Sequence, residues 1–257
     1  MLILIAESKT MAPCTQDMGR EVYEKHMPVF ATQADNIMNA VGEMSVDELA
    51  AKVKISVPMG RKLQQMAYDF PNKETGSRAI EAFTGVVFKA FCYSSLSNRE
   101  KAIADERIGI VSSLYGWLRP EDMVKPYRLD FITPLASNGE RFADYWRKDV
   151  TDEILKQLDI SGETDVLNLL PGDAAKCVDW KKVEAKATVW KAEFGEMQPG
   201  GKLRTPNSNR LKMLRGELLR QIVRENLKNP KELMEVSSEN YVAEPSGVTG
   251  KLIFITA

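Results

Sequence analysis

Short apolar runs alternate with longer amphipathic stretches along this chain of 257 residues. Apolar residues that recur every three or four positions indicate helices, whereas short apolar runs bounded by turn residues indicate buried strands. The runs that predict strands are 1–5, 108–111, 166–170, 187–194 and 251–256. Helical periodicity fills most of the chain between them. The pattern predicts an α/β fold over residues 1–257, a single compact domain with a mixed central sheet flanked by helices.

Residues 45–70 predict two short helices around a tight turn. Ser45 with Glu48 forms a capping box, in which each side chain can satisfy a free backbone N–H of the first turn. A helix-hairpin-helix has this layout and offers backbone N–H groups to a phosphate. Ser56 stands where a glycine would let the phosphate approach closely, so an ordinary helical hairpin stays open as the alternative. The basic residues at this turn are Lys54, Arg61 and Lys62.

Residues 79–91 are predicted to contain one helix and one connection. The helix is predicted over residues 79–87, with its end near Gly85, because glycine commonly terminates helices. Residues 86–91 are apolar and predict a buried connection.

Two charged residues follow predicted strands. Lys9 comes after the strand at 1–5 and Asp173 after the strand at 166–170. The carboxyl edge of an α/β sheet is where ligands usually bind. The alternatives are that Lys9 is an ordinary solvated lysine and that Asp173 only caps the helix that follows. Both alternatives remain open.

Tyr, Trp, Arg, Gly and Pro are concentrated in residues 113–130, directly after the strand at 108–111. Loops held by a rigid strand often carry binding and catalytic side chains. Arg119 and Arg128 are the candidate cations of this stretch, and Tyr115 is a candidate acid or base. The alternative is a buried turn in which the arginines pair with Asp122, Asp130 or Asp144.

Residues 202–232 form the one basic stretch of the chain, with nine Lys or Arg against three Glu and a local charge of +6. Ser208 is the predicted N-cap of a long helix that Asn229 and Pro230 end. Its inward stripe consists of Leu211, Leu214, Leu218 and Ile222. Arg215 lies about 40° from the centre of that stripe, with Lys212 at its edge. A guanidinium turned toward the core requires a carboxylate, a phosphate or a wet cleft, so Arg215 is a candidate anion ligand.

Composition restricts the function classes. Lys and Arg number 35 against 36 Asp and Glu, a net charge of −1, so attraction of nucleic acid requires a local patch. Cys14, Cys92 and Cys177 are scattered and His26 is the only histidine, which argues against a metal site, a disulfide framework or a direct iron-binding role. No cofactor motif is present. No apolar run approaches the roughly 20 residues that span a bilayer, so we expect no membrane partner and a cytoplasmic location.

Seven segments, spread from end to end, together carry a resemblance to a known family. They are Met1-Leu2-Ile3-Leu4-Ile5 with Lys9-Thr10, Ser112-Ser113-Leu114-Tyr115-Gly116-Trp117-Leu118-Arg119-Pro120, Lys125-Pro126-Tyr127-Arg128-Leu129, Tyr145-Trp146, Val166-Leu167-Asn168-Leu169, Lys212 with Arg215-Gly216, and Glu225-Asn226. In the same order, these segments resemble the YaaA family of peroxide-stress proteins. The resemblance implies a cytoplasmic α/β protein that limits damage from hydrogen peroxide and intracellular iron, with a DNA-binding helix-hairpin-helix and a basic cleft, and with no reaction assigned.

The chain departs from the family at two places. Ala6 stands where the family usually has Ser, and Pro171-Gly172-Asp173-Ala174 stands where it tends to have Ser-x-Glu-Tyr. The basic residues are retained and the polar ones beside them are altered. The resemblance therefore supports anion binding by this chain more strongly than it supports any catalytic reaction.

Two hypotheses follow. In the first, the protein binds duplex or branched DNA, largely without regard to sequence, through the phosphates. In the second, it is an enzyme for a small anionic or nucleotide-like substrate, with Asp173 or Tyr115 as acid or base. The first assigns the phosphate contacts to Lys9, Arg119, Arg128, Lys212 and Arg215 in a cleft, and to Lys54, Arg61 and Lys62 at the hairpin.

Overall fold

Buried apolar runs pair into a central sheet in the computed structural model, which describes residues 1–14, 20–72, 75–134, 139–244 and 246–256. Eight strands form this sheet in the order β4-β3-β1-β6-β7-β10-β9, with β8 paired to β7, whereas β2 and β5 form a separate pair. The strands are β1 (Leu2–Ala6), β2 (Ser77–Arg78), β3 (Ile108–Ser112), β4 (Gly116–Leu118), β5 (Met123–Val124), β6 (Asp165–Asn168), β7 (Thr188–Met197), β8 (Leu203–Arg204), β9 (Tyr241–Glu244) and β10 (Lys251–Thr256).

Helices flank the sheet, and the buried apolar side chains of both form one continuous cluster. The helices are α1 (Arg20–Lys25), α2 (Ala31–Glu43), α3 (Val46–Val53), α4 (Val57–Asp69), α5 (Ala79–Ala82), α6 (Val86–Phe91), α7 (Asn98–Arg107), α8 (Phe142–Tyr145), α9 (Arg147–Ser161), α10 (Gly172–Ala175), α11 (Trp180–Glu184) and α12 (Ser208–Glu225), with 3₁₀ turns at Tyr93–Ser95 and Glu232–Met234. The predicted fold class is confirmed.

The order of the strands places a crevice beside β1. β3 and β6 pair with β1 on its two sides, and all three strands are parallel. From β1 the chain passes to β3 and the antiparallel β4 on one side, and later to β6, β7 and β10 on the other. Ligands of open α/β sheets commonly bind at the carboxyl ends of strands where the winding changes direction. In this sheet that point lies between β1 and β6.

The helix predicted over residues 79–87 and the connection predicted over 86–91 are wrong. α5 is only one turn long, and Gly85 is the N-cap of a second helix, α6. The Gly85 N–H donates to Ser8 Oγ at 3.0 Å, which anchors this helix start beside the end of β1. α6 also packs closely on α12 at Gly216, where a Cβ would overlap the carbonyl oxygen of Val87. These long-range contacts override the local sequence preference.

The predicted helical hairpin is formed by α3 and α4, which pack against each other. Ser45 accepts a hydrogen bond from the Glu48 N–H at 3.3 Å and begins α3. Lys54 ends α3 in the left-handed conformation, with φ 57° and ψ 48°, and Ser56 is the N-cap of α4. Phosphate binding by this hairpin stays a prediction.

Candidate functional site

A cavity of about 510 Å³ opens at the carboxyl end of β1 and is here called the larger cavity. Its walls come from the segment after β1, the start of α6, residues 130–132, the end of β6 with the start of α10, and α12. Its volume is typical of pockets for small ligands, which hold roughly 300–1,000 Å³. The charged residues that line it are Glu7, Lys9, Asp130, Asp173, Lys212 and Arg215.

α12 carries two of these charged residues to the cavity. The N-cap of the helix is Asn207, one residue before the predicted Ser208. The Asn207 side chain accepts a hydrogen bond from the Arg210 N–H at 3.0 Å. It ends at Glu225, before the predicted end, because Asn226 adopts the left-handed conformation. Gly216 lets α12 lie directly against α6. This close packing brings Lys212 and Arg215 to the wall of the larger cavity.

Arg215 has an unusual environment for an arginine. Its Nε is buried and has no hydrogen-bond partner among the described residues. Burial lowers the pKa of its guanidinium, although an arginine stays protonated at neutral pH. Buried polar atoms of native proteins almost always have a hydrogen-bond partner, so the buried Nε makes Arg215 a candidate ligand-binding residue.

Glu7, a residue that the sequence did not single out, also lines the larger cavity. It follows β1 directly, and its carboxyl group accepts hydrogen bonds from the Ser113 N–H at 2.9 Å and the Ser113 hydroxyl at 2.5 Å. The Tyr127 hydroxyl also donates to it. Burial raises the pKa of Glu7 to about 7, against the opposing effect of these donors. Such a pKa makes Glu7 a candidate acid or base at neutral pH.

A hydroxyl chain lies behind Glu7. The hydroxyls of Ser112 and Tyr127 are 2.8 Å apart, and Ser112 Oγ also accepts the N–H groups of Leu114 and Tyr115 at 3.2 and 3.0 Å. Burial and the neighbouring Glu7 raise the pKa of Tyr127 well above its usual value. Tyr127 thus keeps its proton and serves as a hydrogen-bond donor to Glu7.

A second cavity of about 270 Å³, here called the smaller cavity, adjoins the larger one. Lys9 and Asp130 belong to the walls of both cavities, and their side chains form an ion pair at 2.7 Å. Arg128 donates to the backbone oxygen of Lys9 at 2.5 Å. Lys52 and Lys54 of the hairpin complete its cationic wall. Six cations therefore extend across the two cavities, from the hairpin to α12: Lys52, Lys54, Arg128, Lys9, Arg215 and Lys212.

The remaining predicted site residues line neither cavity. Arg119 donates through Nε and one terminal nitrogen to the fully buried Asp122, at 2.9 and 2.7 Å, as the alternative of a structural turn states. Tyr115 is buried and accepts from the Lys125 N–H at 3.1 Å. Arg61 and Lys62 are exposed on α4. Arg119 therefore lies outside both cavities, and a single cleft that contains it with Lys9 and Arg215 stays a prediction.

Asp173 lines the larger cavity at the start of α10, with an exposed carboxylate. Its nearest cation is Lys176, at 3.5 Å. Capping of α10 by its side chain is not observed, since the N-cap is Pro171.

Comparison with known proteins decides the family. A family model described as peroxide stress protein YaaA matches residues 1–246. The chain belongs to the YaaA family. It is similar to a UPF0246 protein of Bacteroides thetaiotaomicron, with 30% identity over 259 residues that cover 99% of this chain and 98% of that protein. A UPF0246 protein of Phocaeicola vulgatus is 30% identical over 248 residues, covering 94% and 93% of the two chains. One of Bordetella petrii is 28% identical over 262 residues, covering 99% and 98%.

The family membership agrees with the segments that resemble YaaA proteins in the sequence. Within the described ranges, no helix is both long and apolar enough to cross a membrane. Over the same residues, no group of three or more His, Cys, Asp or Glu side chains is placed to hold a metal ion.

Proposed function

We propose that this member of the YaaA family binds a small anion of nucleotide size in the larger cavity, through a phosphate or carboxylate group. The observation that carries this proposal is the buried, unpaired Nε of Arg215 at the cavity wall. A guanidinium presents several donors in one plane, which suits an oxyanion. Lys212 is exposed beside it and adds a second positive charge. The volume of about 510 Å³ is far smaller than a DNA duplex, whose major groove alone admits an α-helix.

Lys212→Ala is expected to weaken the binding of adenosine monophosphate roughly tenfold, because a hydrogen bond to a charged group contributes about 1.5–3 kcal/mol. Isothermal titration calorimetry measures this loss. Lys228→Ala is the matched control, since Lys228 is an exposed lysine beyond the end of α12 and lines neither cavity. Wild-type protein that binds neither this nucleotide nor sulfate would contradict the proposal.

DNA binding is the second candidate function, favoured by the smaller cavity. Its wall, beside the helical hairpin, contains Lys52, Lys54 and Arg128. The second helix of the hairpin, α4, also carries the exposed Arg61 and Lys62. A row of cations outside the larger cavity could contact successive phosphates of a DNA backbone. Such contacts read little of the base sequence. In this proposal the protein is a cytoplasmic DNA-binding member of the family that helps to limit peroxide-dependent and iron-dependent damage.

Lys54→Gly tests DNA binding without disturbing the backbone, because glycine readily adopts the left-handed conformation that Lys54 has. Removal of one phosphate contact is expected to lower the slope of log affinity against log salt concentration by about 1. Fluorescence anisotropy with labelled duplex and branched DNA, between low and physiological salt, measures the slope. The Lys228→Ala control keeps the wild-type slope. A wild-type affinity that does not change with salt, or no binding to either DNA, rules this candidate out.

A further inference from the structure

We propose that Glu7 is the acid–base residue of the larger cavity: its neutral carboxyl group donates a hydrogen bond to the anion that Arg215 and Lys212 hold and can pass its proton to a basic oxygen of a bound substrate. The inference rests on the proposed anion site and adds a chemical capability to it. Glu7 suits this role better than the two candidates from the sequence, because the carboxylate of Asp173 is exposed and Tyr115 lines neither cavity.

The hydrogen bonds around Glu7 fix its carboxyl group in one orientation. A carboxylate has about four acceptor positions. The N–H and the hydroxyl of Ser113 take two of them, and the Tyr127 hydroxyl takes a third. The Ser112 hydroxyl is also close enough to Glu7 to lower its pKa. The surrounding donors therefore hold the carboxyl group in place at the wall of the larger cavity. A fixed acid or base beside a binding site is what general acid–base catalysis requires.

The charge state of Glu7 suits an anionic ligand. Burial raises its pKa to about 7, so close to neutral pH a large fraction of the molecules carry a neutral carboxyl group. A neutral carboxyl can donate a hydrogen bond to an oxyanion, whereas a carboxylate repels it. The other charged or titratable groups around Glu7 are Lys9, Tyr115, Tyr127, Asp130, Asp173, Cys177, Lys212 and Arg215.

The proton-transfer step balances without any oxidant or reductant. The O–H bond of Glu7 breaks, a new O–H bond forms on the ligand oxygen, and the electron pair of the broken bond stays on the Glu7 carboxylate. The Ser113 N–H and the two hydroxyls stabilise this carboxylate. The Ser112 and Tyr127 hydroxyls, 2.8 Å apart, extend the hydrogen-bonded chain behind it. The reverse step returns the proton to Glu7.

The direction in which anion affinity changes with pH follows from the neutral form of the Glu7 carboxyl group. An anion of constant charge should bind most tightly below about pH 7 and more weakly as the pH rises, by up to about tenfold for each pH unit above the pKa. By reciprocity, a bound anion should raise the pKa of Glu7 further. Sulfate and a dinucleoside monophosphate keep their charge over this range, so they are the suitable probes.

Calorimetric titration of both probes between pH 5.5 and 8.5 tests the inference. Wild-type protein should show the decline in affinity with pH, and Glu7→Gln, which is always neutral, should bind with an affinity that no longer changes with pH. The control Glu239→Gln removes an exposed carboxylate outside both cavities and should keep the wild-type profile.

Carbon-13 NMR titration of the Glu7 carboxyl in the wild-type protein gives a second readout that needs no variant. The midpoint should lie near pH 7 without ligand and rise when sulfate is bound. Binding that is independent of pH, together with an ordinary Glu7 midpoint that sulfate does not move, would overturn the inference and leave the anion site standing. Absence of binding of both probes at every pH would overturn the anion site and the inference together.

Discussion

Gly216→Ala is expected to lower the free energy of unfolding by about 2 kcal/mol and to disturb the larger cavity. The new Cβ would overlap the Val87 carbonyl oxygen and stand 2.7 Å from the Ala90 Cβ. Neither group can rotate away, so α12 must move off α6. Overpacking of this kind costs typically 1–3 kcal/mol and occasionally more, and the better helix propensity of alanine offsets only about 1 kcal/mol.

Urea denaturation of the Gly216→Ala variant measures this loss. Gly172→Ala is the matched control, because Gly172 is also helical and a Cβ there meets no atom within 4 Å. Since α12 carries Lys212 and Arg215, the Gly216→Ala variant should also bind anions more weakly than the control. A variant as stable as the wild type would show that α6 and α12 pack less closely than the structure has them.

Arg215→Met is expected to reduce anion affinity roughly 100-fold while the melting temperature stays the same or rises. Truncation of a buried, hydrogen-bonded charge typically costs 2–5 kcal/mol of binding free energy. In the free protein, however, the guanidinium has a buried nitrogen without a partner, and burial lowers its pKa. Replacement of such a charge by an apolar side chain of similar size is often neutral or stabilising.

Arg224→Met is the matched control for Arg215→Met. Arg224 lies on the same helix, but its side chain is exposed and its nearest carboxylate is Glu100 at 3.6 Å. The control should change neither anion affinity nor stability by much, because exposed ion pairs contribute little. Calorimetry and thermal unfolding on the two variants give both quantities. Lower stability with unchanged affinity would mean that Arg215 has a structural role and no ligand.

Strands were the most predictable part of the fold. β1 and β3 are inner strands of the sheet and buried along their whole length, so their sequences are nearly uninterrupted apolar runs. α6 could not be predicted in the same way. Val86 and Val87 favour extended structure locally, and the helix depends on contacts with Ser8 and Gly216, which are distant in the sequence.

The site was predictable where one element decided the position of a side chain. The spacing of α12 alone turned Arg215 toward the core, and the structure places it at the larger cavity. The sequence allowed Arg119 either to bind a ligand or to form an ion pair. In the structure it pairs with Asp122. Glu7 gave only a weak signal, a carboxylate directly after a buried strand. Its raised pKa depends on burial and on donors at Ser113 and Tyr127, more than 100 positions away.

The ion pair of Lys9 with Asp130 makes the two cavities thermodynamically linked. Both side chains belong to both walls, so an anion that draws Lys9 away from Asp130 in one cavity changes the charge that the other cavity presents. Such coupling is reciprocal, because each ligand must alter the affinity for the other by the same factor. If both proposed sites are occupied, a nucleotide in the larger cavity should change the affinity of the smaller cavity for a phosphate backbone, and the reverse should hold equally.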